Sequence, residues 1–353
     1  MKENKVKMAL SVDIKKHYHD FALNVSFKTE SKRIGILGAS GCGKTLTLKS
    51  IAGLVKPDEG RISFDKKVWF DRNRKINVKT ARRNVGYLFQ DYALFPNMTV
   101  KENIVAALHG AGVDQRGGKA VEDILKRFEL SDIKDHKPFE LSGGQQQRTA
   151  LARIMACDPG LILLDEPFSA MDTFLREGMR LELIRLLDVY DKTVIMVSHD
   201  RDEIYQMCDH LILIDKGRVI AQGDTDVLFE HPATPTAARL TGCKNISRIE
   251  RINDHRIKAI DWQGLELITG EKVTEDITHA GIRAHDLKPG EQDVNVIPCG
   301  KAVISRLPFE WYVTLENGLW WKRGRNLDES YESDVVPQYV SLAPDKIILM
   351  KQD

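Results

Sequence analysis

No stretch of this 353-residue chain comes near the ~20 consecutive apolar residues that a bilayer-spanning helix needs. No helix of it is therefore expected to cross a membrane, and a membrane role would be peripheral and through a partner. The first residues, Met-Lys-Glu-Asn-Lys-Val-Lys-Met, lack the apolar core of a signal peptide. Cysteine is scarce: the five, Cys42, Cys157, Cys208, Cys243 and Cys299, are far apart, odd in number and include no CxxC pair. That pattern fits reduced thiols in a cytosolic protein better than a disulfide framework. Charge of one sign is lacking as well. The 52 Lys and Arg nearly cancel the 51 Asp and Glu, leaving +1, so there is no overall basic field of the kind a dedicated nucleic-acid binder carries. No internal repeat and no low-complexity tract is present. What remains is an ordinary globular composition and a length that allows two domains.

The two halves differ in texture. Up to about residue 240, short apolar runs alternate with helical stretches: Ile34–Leu37, Val85–Phe89, Leu161–Leu164, Thr193–Val197 and Leu211–Ile214. Such runs suit strands buried on both faces of a mainly parallel sheet, so residues 1–240 are expected to form one α/β domain. From 241 to 353 the segments alternate or favour β-branched and aromatic residues, and Asn317-Gly318 marks a hairpin turn. That half is expected to be a β-rich domain.

Residues 38–45 read Gly-Ala-Ser-Gly-Cys-Gly-Lys-Thr, a complete G-x-x-x-x-G-K-[ST] phosphate loop. Gly38, Gly41 and Gly43 let the backbone wrap closely, so that the amides from Ala39, Ser40 and Cys42 onward can face phosphate oxygens. Lys44 brings a positive charge to the β- and γ-phosphates, and the Thr45 hydroxyl can ligate Mg²⁺. A strand before the loop and a helix after it complete the anion site. Cys42 lies inside this loop, where alkylation would block nucleotide.

A second motif, Leu161-Ile-Leu-Leu-Asp165-Glu166-Pro167, is a buried strand with two acids at its carboxyl end. Asp165 is placed to hold Mg²⁺ and Glu166 to polarise an attacking water and accept its proton. A third, Leu141-Ser-Gly-Gly-Gln-Gln-Gln-Arg148, puts Ser142, Gly143 and Gly144 at the start of a helix, with Ser142 as N-cap.

In this order the three motifs resemble the ATP-binding cassette family. The resemblance covers residues 1 to about 240 and implies a P-loop NTPase cassette: an α/β fold with a mainly parallel sheet and a helical subdomain. It implies further roles. Gln90 looks like the glutamine that senses Mg²⁺ and water and faces a transporter subunit. Asp172, in Ser169-Ala-Met-Asp172, looks like the loop that crosses to an opposite subunit. His199, in Val-Ser-His-Asp, looks like the switch histidine that contacts the γ-phosphate. The family stacks adenine on an aromatic residue before the phosphate loop; Tyr18 and Phe21 are the candidates and Phe21 is preferred. The cofactors implied are ATP and Mg²⁺. The family uses the Ser142 loop in trans, so a second copy of the chain, head to tail, is the implied partner.

One phosphate loop, no sustained heptads between Lys44 and Ser142 and no membrane helices leave the separate ATPase subunit of a transporter. It would dock on a membrane permease at the cytoplasmic face, and an extracytoplasmic solute-binding protein would act with it indirectly. Leu94, Phe95 and Met98, just after Gln90, are the apolar residues expected to receive the permease. The β-rich tail resembles the small oligonucleotide-fold-like (OB-like) regulatory domains of importer ATPases. Thr241-Gly-Cys-Lys-Asn-Ile246 and Gly281-Ile-Arg-Ala-His-Asp-Leu287 resemble the molybdate and tungstate branch, whose Mop-type tail can sense the oxyanion; backbone amides at Ser305 to Leu307 are the candidate ligands. Sulfate is the next substrate, and the other reading of the tail is a sensor or dimerisation module.

Overall fold

The computed structural model describes residues 9–110, 118–169, 173–190, 192–291, 293–324 and 336–353. They pack as two units, one running to Thr225 and the other starting at Asp226.

The first unit runs β1 (Leu10–His17), β2 (Ala22–Thr29), β3 (Arg33–Leu37), α1 (Lys44–Ala52), β4 (Glu59–Phe64), β5 (Lys67–Asp71), β6 (Ile76–Asn77) and β7 (Val85–Leu88). Three helices follow, α2 (Val100–Gly110), α3 (Gly118–Arg127) and α4 (Gly143–Ala156), which pack on one another. The unit then closes with β8 (Leu161–Asp165), α5 (Thr173–Val189), β9 (Thr193–Ser198), α6 (Arg201–Met207), β10 (His210–Asp215) and β11 (Arg218–Asp224).

All its strands join one sheet in the order β6-β5-β4-β1-β2-β11-β10-β3-β9-β8-β7. The block β10-β3-β9-β8-β7 is parallel, and its strands are the continuous apolar runs that burial on both faces demands; every residue of β8 and β9 is buried. The other side is an antiparallel wing, β1 with β2 and β4, then β5 and β6. There β2 alternates strictly between exposed and buried residues, as one covered face requires. The wing extends the sheet beyond the parallel runs visible in the sequence.

Register places the chemistry. Leu37 at the end of β3 lies opposite Ser198 of β9, Asp165 of β8 opposite Val197, and Leu88 of β7 opposite Leu164. The carboxyl ends of β3, β7, β8 and β9 therefore form one edge, and the segments leaving that edge carry the phosphate loop, Gln90, Glu166 and His199. Ligands of parallel α/β sheets bind at such an edge.

Arg83 ties the wing to α1. It is 2% exposed, and its guanidinium donates to Ser50 O (3.0 Å) and Ile51 O (2.7 Å) at the end of α1, to Val78 O (3.0 Å) and to Asn77 Oδ1 (3.3 Å). It also stacks over Trp69 of β5, 5.9 Å from the ring centroid. Burial draws it down to about 10, which still leaves it charged at neutral pH. Gly53, in the left-handed region (φ 81°), ends α1 against it; a Cβ there would come within 2.7 Å of the guanidinium.

The second unit holds α7 (Thr225–Glu230) from Asp226 onward and α8 (Pro235–Leu240), then β12 (Asn245–Asn253), β13 (Arg256–Ala259), β14 (Leu265–Ile268), β15 (Ile277–Ile282), β16 (Lys288–Pro289) and β17 (Asn295–Pro298). It continues with β18 (Val303–Arg306), β19 (Glu310–Thr314), β20 (Trp320–Gly324), β21 (Tyr339–Leu342) and β22 (Ile347–Lys351). Residues 226–240, expected with the first half, pack here: Thr236 is bonded to Asp353, and Arg283 donates to Phe229 O and Thr241 O. The strands form three antiparallel sheets, β14-β13-β12-β15-β22, β16-β21-β17 and β18-β19-β20, around one core that includes Ile257, Ile282, Val313, Trp321 and Val340. The Asn317-Gly318 turn joins β19 to β20, with Gly318 at φ 87°. Asn245 caps β20, accepting from Trp320 N and donating to Trp320 O, both at 2.7 Å.

Arg83→Met keeps an apolar stem and strands the α1 carbonyls, each of which costs about 1–3 kcal/mol when buried without a donor. The urea midpoint is expected to fall by the equivalent of roughly 2–4 kcal/mol. An unchanged midpoint would remove Arg83 from its structural role.

Candidate active site

The phosphate loop is held open by its own lysine. Lys44 is 6% exposed, and its ammonium donates to Gly38 O (2.8 Å) and Ala39 O (3.2 Å), so the loop curls around the charge. Gly38 admits no side chain: a Cβ would lie 2.2 Å from Ile214 O and 2.6 Å from Cys42 Sγ. Gly41 and Gly43 sit at φ 78° and 107°. The turn between β10 and β11 braces the loop from outside, Gly217 N donating to Cys42 O (3.0 Å). The N-cap of helix α1 is Gly43, which has no side chain to cap it. By contrast α4 is capped by Ser142 and α6 by Asp200. The first amides of α1 thus keep their donors for an external anion.

Asp165 and Glu166 end β8 beside this loop. Asp165 is 4% exposed and accepts from Thr45 Oγ1 at Oδ1 and from the Tyr87 hydroxyl at Oδ2, both at 2.7 Å. Glu166 lies with Oε1 3.7 Å from Lys44 Nζ and Oε2 2.7 Å from His199 Nδ1. Its backbone is left-handed, φ 49°, a conformation rare for a non-glycine residue. Glu166 N donates to Val197 O, and Ser169 donates through both N and Oγ to Glu166 O, holding it there. Gly38 to Thr45, Asp165, Glu166 and His199 therefore converge within one chain.

The other expected residues are placed apart. Gln90 is exposed in the turn after β7. Ser142 is exposed, and the hydrogen bonds of its hydroxyl and amide run to Gln145 of its own helix. Gly143 faces open space, and Gly144 packs on Met179. Asp172 lies outside the described residues. Phe21, half-buried, lines a pocket of 610 Å³ with Ala39, Ser40, Gly41 and Cys42. Its ring sits against Gly43 and Gly217, within 3.1 and 3.2 Å of where their Cβ atoms would be. Tyr18 is 50% exposed, under Lys16, and is not in the pocket lining.

Several further residues support the site and the loop after Gln90. Tyr87, whose hydroxyl is pushed well above the ordinary tyrosine value by burial and by Asp165, stays a donor to that acid. Gln147, fully buried, donates to Pro167 O (3.1 Å) and so ties α4 to the turn after Glu166. Glu203, 4% exposed and raised by burial, accepts from Ser198 Oγ (2.6 Å) behind His199. Asn103, fully buried, accepts from Phe95 N and donates to the carbonyls of Phe95, Met98 and Thr99. The loop it folds turns Phe95 and Met98 outward, 46% and 38% exposed. Gln147 lies inside the Leu141-to-Arg148 motif, and the sequence signal for the others is their nearness to recognised motifs.

An uncapped helix behind a glycine loop, a buried lysine and two acids define a P-loop nucleotide-hydrolase site. The chain belongs to the ABC transporter family, whose model matches residues 22–169. A probable sulfate/thiosulfate import ATP-binding protein CysA of Chlorella vulgaris is 37% identical over 223 residues, covering 63% of this chain and 92% of that protein. A spermidine/putrescine import ATP-binding protein PotA of Vibrio cholerae is 35% identical over 296 residues, covering 80% of this chain and 77% of its own. Among solved structures, the dimeric ATP-binding cassette MJ0796 in a post-hydrolysis state bound to ADP and Pi is similar at TM-score 0.52 and 30% identity, over 62% of this chain and 98% of that one. ATP and Mg²⁺ are the cofactors of the site. The residues fit both: uncapped amides and Lys44 suit a polyphosphate, and a hydroxyl paired with a carboxylate offers the hard oxygen donors Mg²⁺ takes.

Burial raises the Cys42 thiol above its ordinary value, so its thiolate fraction at neutral pH is smaller than that of a free cysteine. Alkylation of Cys42 is expected to be slower than that of a model thiol at pH 7, to rise with pH, and to fall further when ATP is bound. Mass-spectrometric labelling rates check this, and labelling as fast as the model thiol would contradict it.

Proposed function

We propose that the chain is the ATP-hydrolysing motor of an ABC importer. The carrying observation is the half-site: Lys44, Thr45, Asp165, Glu166 and His199 converge, while Ser142 caps its own helix at the surface. A second copy in head-to-tail arrangement supplies the Ser142 to Gly144 loop to the γ-phosphate, a reading supported by the dimeric form of the similar cassette. Phe21 stacks on adenine, Gln90 and Asp172 complete the metal and inter-subunit contacts, and Phe95, Met98 and Leu94 face the permease. The motor sits peripherally on the cytoplasmic face, and a solute-binding protein acts through the permease.

In hydrolysis Glu166 accepts a proton from water as the water oxygen bonds to the γ-phosphorus and the bond to the ADP oxygen breaks. Lys44 and His199 offset the charge on the phosphoryl oxygens. Thr45 and Asp165 would hold Mg²⁺, which would supply electrostatic neutralisation of the phosphates. Phosphoryl transfer needs positioning more than covalent chemistry, which suits this set of residues.

For the cargo, an oxyanion of the sulfate class is favoured, as the relative named for sulfate and thiosulfate supports. The molybdate reading rests on the two tail segments, and these have structural work. Asn245 pairs with Ile282, Cys243 packs under Gly281, and Arg283 donates to Thr241 O (3.0 Å). They build one joint of the β unit. Of the candidate tail amides, Leu307 N is already committed to Glu310 O (2.9 Å).

Glu166→Gln is expected to lower ATP turnover by at least ~10²-fold while ATP binding persists; unimpaired solute uptake would exclude the motor role. Ser142→Arg is expected to abolish turnover yet leave ATP binding to the monomer intact, and normal turnover would exclude the trans site. Turnover with permease and binding protein loaded in turn with sulfate, thiosulfate and molybdate identifies the cargo. Stimulation by molybdate alone would reverse the preference for sulfate.

A further inference from the structure

Asp165 meets the phosphate loop with one carboxylate oxygen and Tyr87 with the other. We propose that Tyr87 is the positioning residue of the metal site, its hydroxyl fixing the Asp165 carboxylate so that Oδ1 faces Thr45, and thereby setting the affinity for Mg²⁺. The inference rests on the reading of Thr45 and Asp165 as the metal-side residues.

Three observations carry it. First, the parallel register sets Tyr87 of β7 beside Leu163 of β8. Strand period then puts Asp165, two residues on, on the same face of the sheet. Second, the Tyr87 ring is fixed in place. It packs on the core of the first unit and lies 4.4 Å from Phe89, centroid to centroid. A carboxylate's terminal torsion is broad and two-fold, so a rigid donor on Oδ2 selects one orientation for Oδ1. Third, Tyr87 touches neither the phosphate loop nor Glu166 through any hydrogen bond found among the described residues. It acts through Asp165, as outer partners of metal ligands do. The same bond joins β7, whose exit carries Gln90, to the acid at the end of β8.

Tyr87→Phe tests this, because it deletes the hydroxyl and keeps the ring. The Mg²⁺ concentration for half-maximal ATP turnover is expected to rise about 10–100-fold, with turnover at saturating Mg²⁺ within a few-fold of wild type. Mn²⁺ binding to the nucleotide complex, followed by electron paramagnetic resonance, is expected to weaken by the same factor, while ATP binding in EDTA stays unchanged. Tyr87→Met, which fills similar space without a hydroxyl, is expected to give the same shift. Phe89→Leu, which loosens the ring contact but keeps the hydroxyl, is expected to give a clearly smaller shift than either Tyr87 variant. An unchanged Mg²⁺ dependence in both Tyr87 variants, or an equal shift in Phe89→Leu, overturns the proposal. Wild-type protein without Mg²⁺-dependent ATP hydrolysis would overturn the ATPase reading instead.

Discussion

Two hydroxyls, on Thr45 and Tyr87, meet on the Asp165 carboxylate, and the rest of the site is arranged around that junction. The acid ends a strand whose every residue is buried, and a carboxylate taken that far from water must be met by donors or metal. The donors come from α1 and from β7, so the same two bonds that satisfy the charge also draw the phosphate loop and the Gln90 strand together. Parallel register makes this possible. Four strands end at one edge, and no loop has to be long to bring its residue in.

Glu166 shows how tightly that edge is drawn. Immediately after Asp165 the backbone turns left-handed, a strained choice for glutamate, and it is sustained by Val197 O and Ser169. The turn throws the carboxylate between Lys44 and His199. One oxygen is thus near the cation that faces the phosphates and the other is held by the imidazole. The carboxylate proposed to take a proton from water is thus fixed by its backbone as well as by its rotamer.

The nucleotide motifs were legible because each is local. Glycines, lysine and hydroxyl lie within one loop, and the two acids follow one apolar run. Ser142 as N-cap and the Asn317-Gly318 turn were legible for the same reason. What was not legible is whatever acts across the sequence. Tyr87 is 78 residues from Asp165, and Arg83 is 33 from Ser50; nothing in either neighbourhood announces the partner. Asn103 and Asn245 are single asparagines whose amides stand in for backbone pairing, and a lone asparagine has no pattern to read. The antiparallel wing escaped the search for continuous apolar runs because its strands β1 and β2 alternate apolar with polar residues. Alternation marks the tail as β-rich but does not say which strands pair, and the structure distributes them over three sheets.

Helix α4 links these layers. Ser142 caps its first turn, and Arg153 in its last turn donates to Ala93 O (2.7 Å) and Tyr92 O (3.0 Å). Tyr92 and Ala93 are both left-handed, a pair of strained residues that Arg153 holds two and three positions after Gln90. Between the two ends, Gln147 reaches Pro167 O behind Glu166. One helix therefore bears the proposed trans-acting serine, grips the loop proposed to face the permease and touches the turn after Glu166. Arg153 reaches that loop through two backbone carbonyls, so it holds the loop's backbone and not a side chain that could swing away. The loop after Gln90, the Ser142 turn and the turn after Glu166 are thus joined through one helix, by hydrogen bonds at its two ends and its middle.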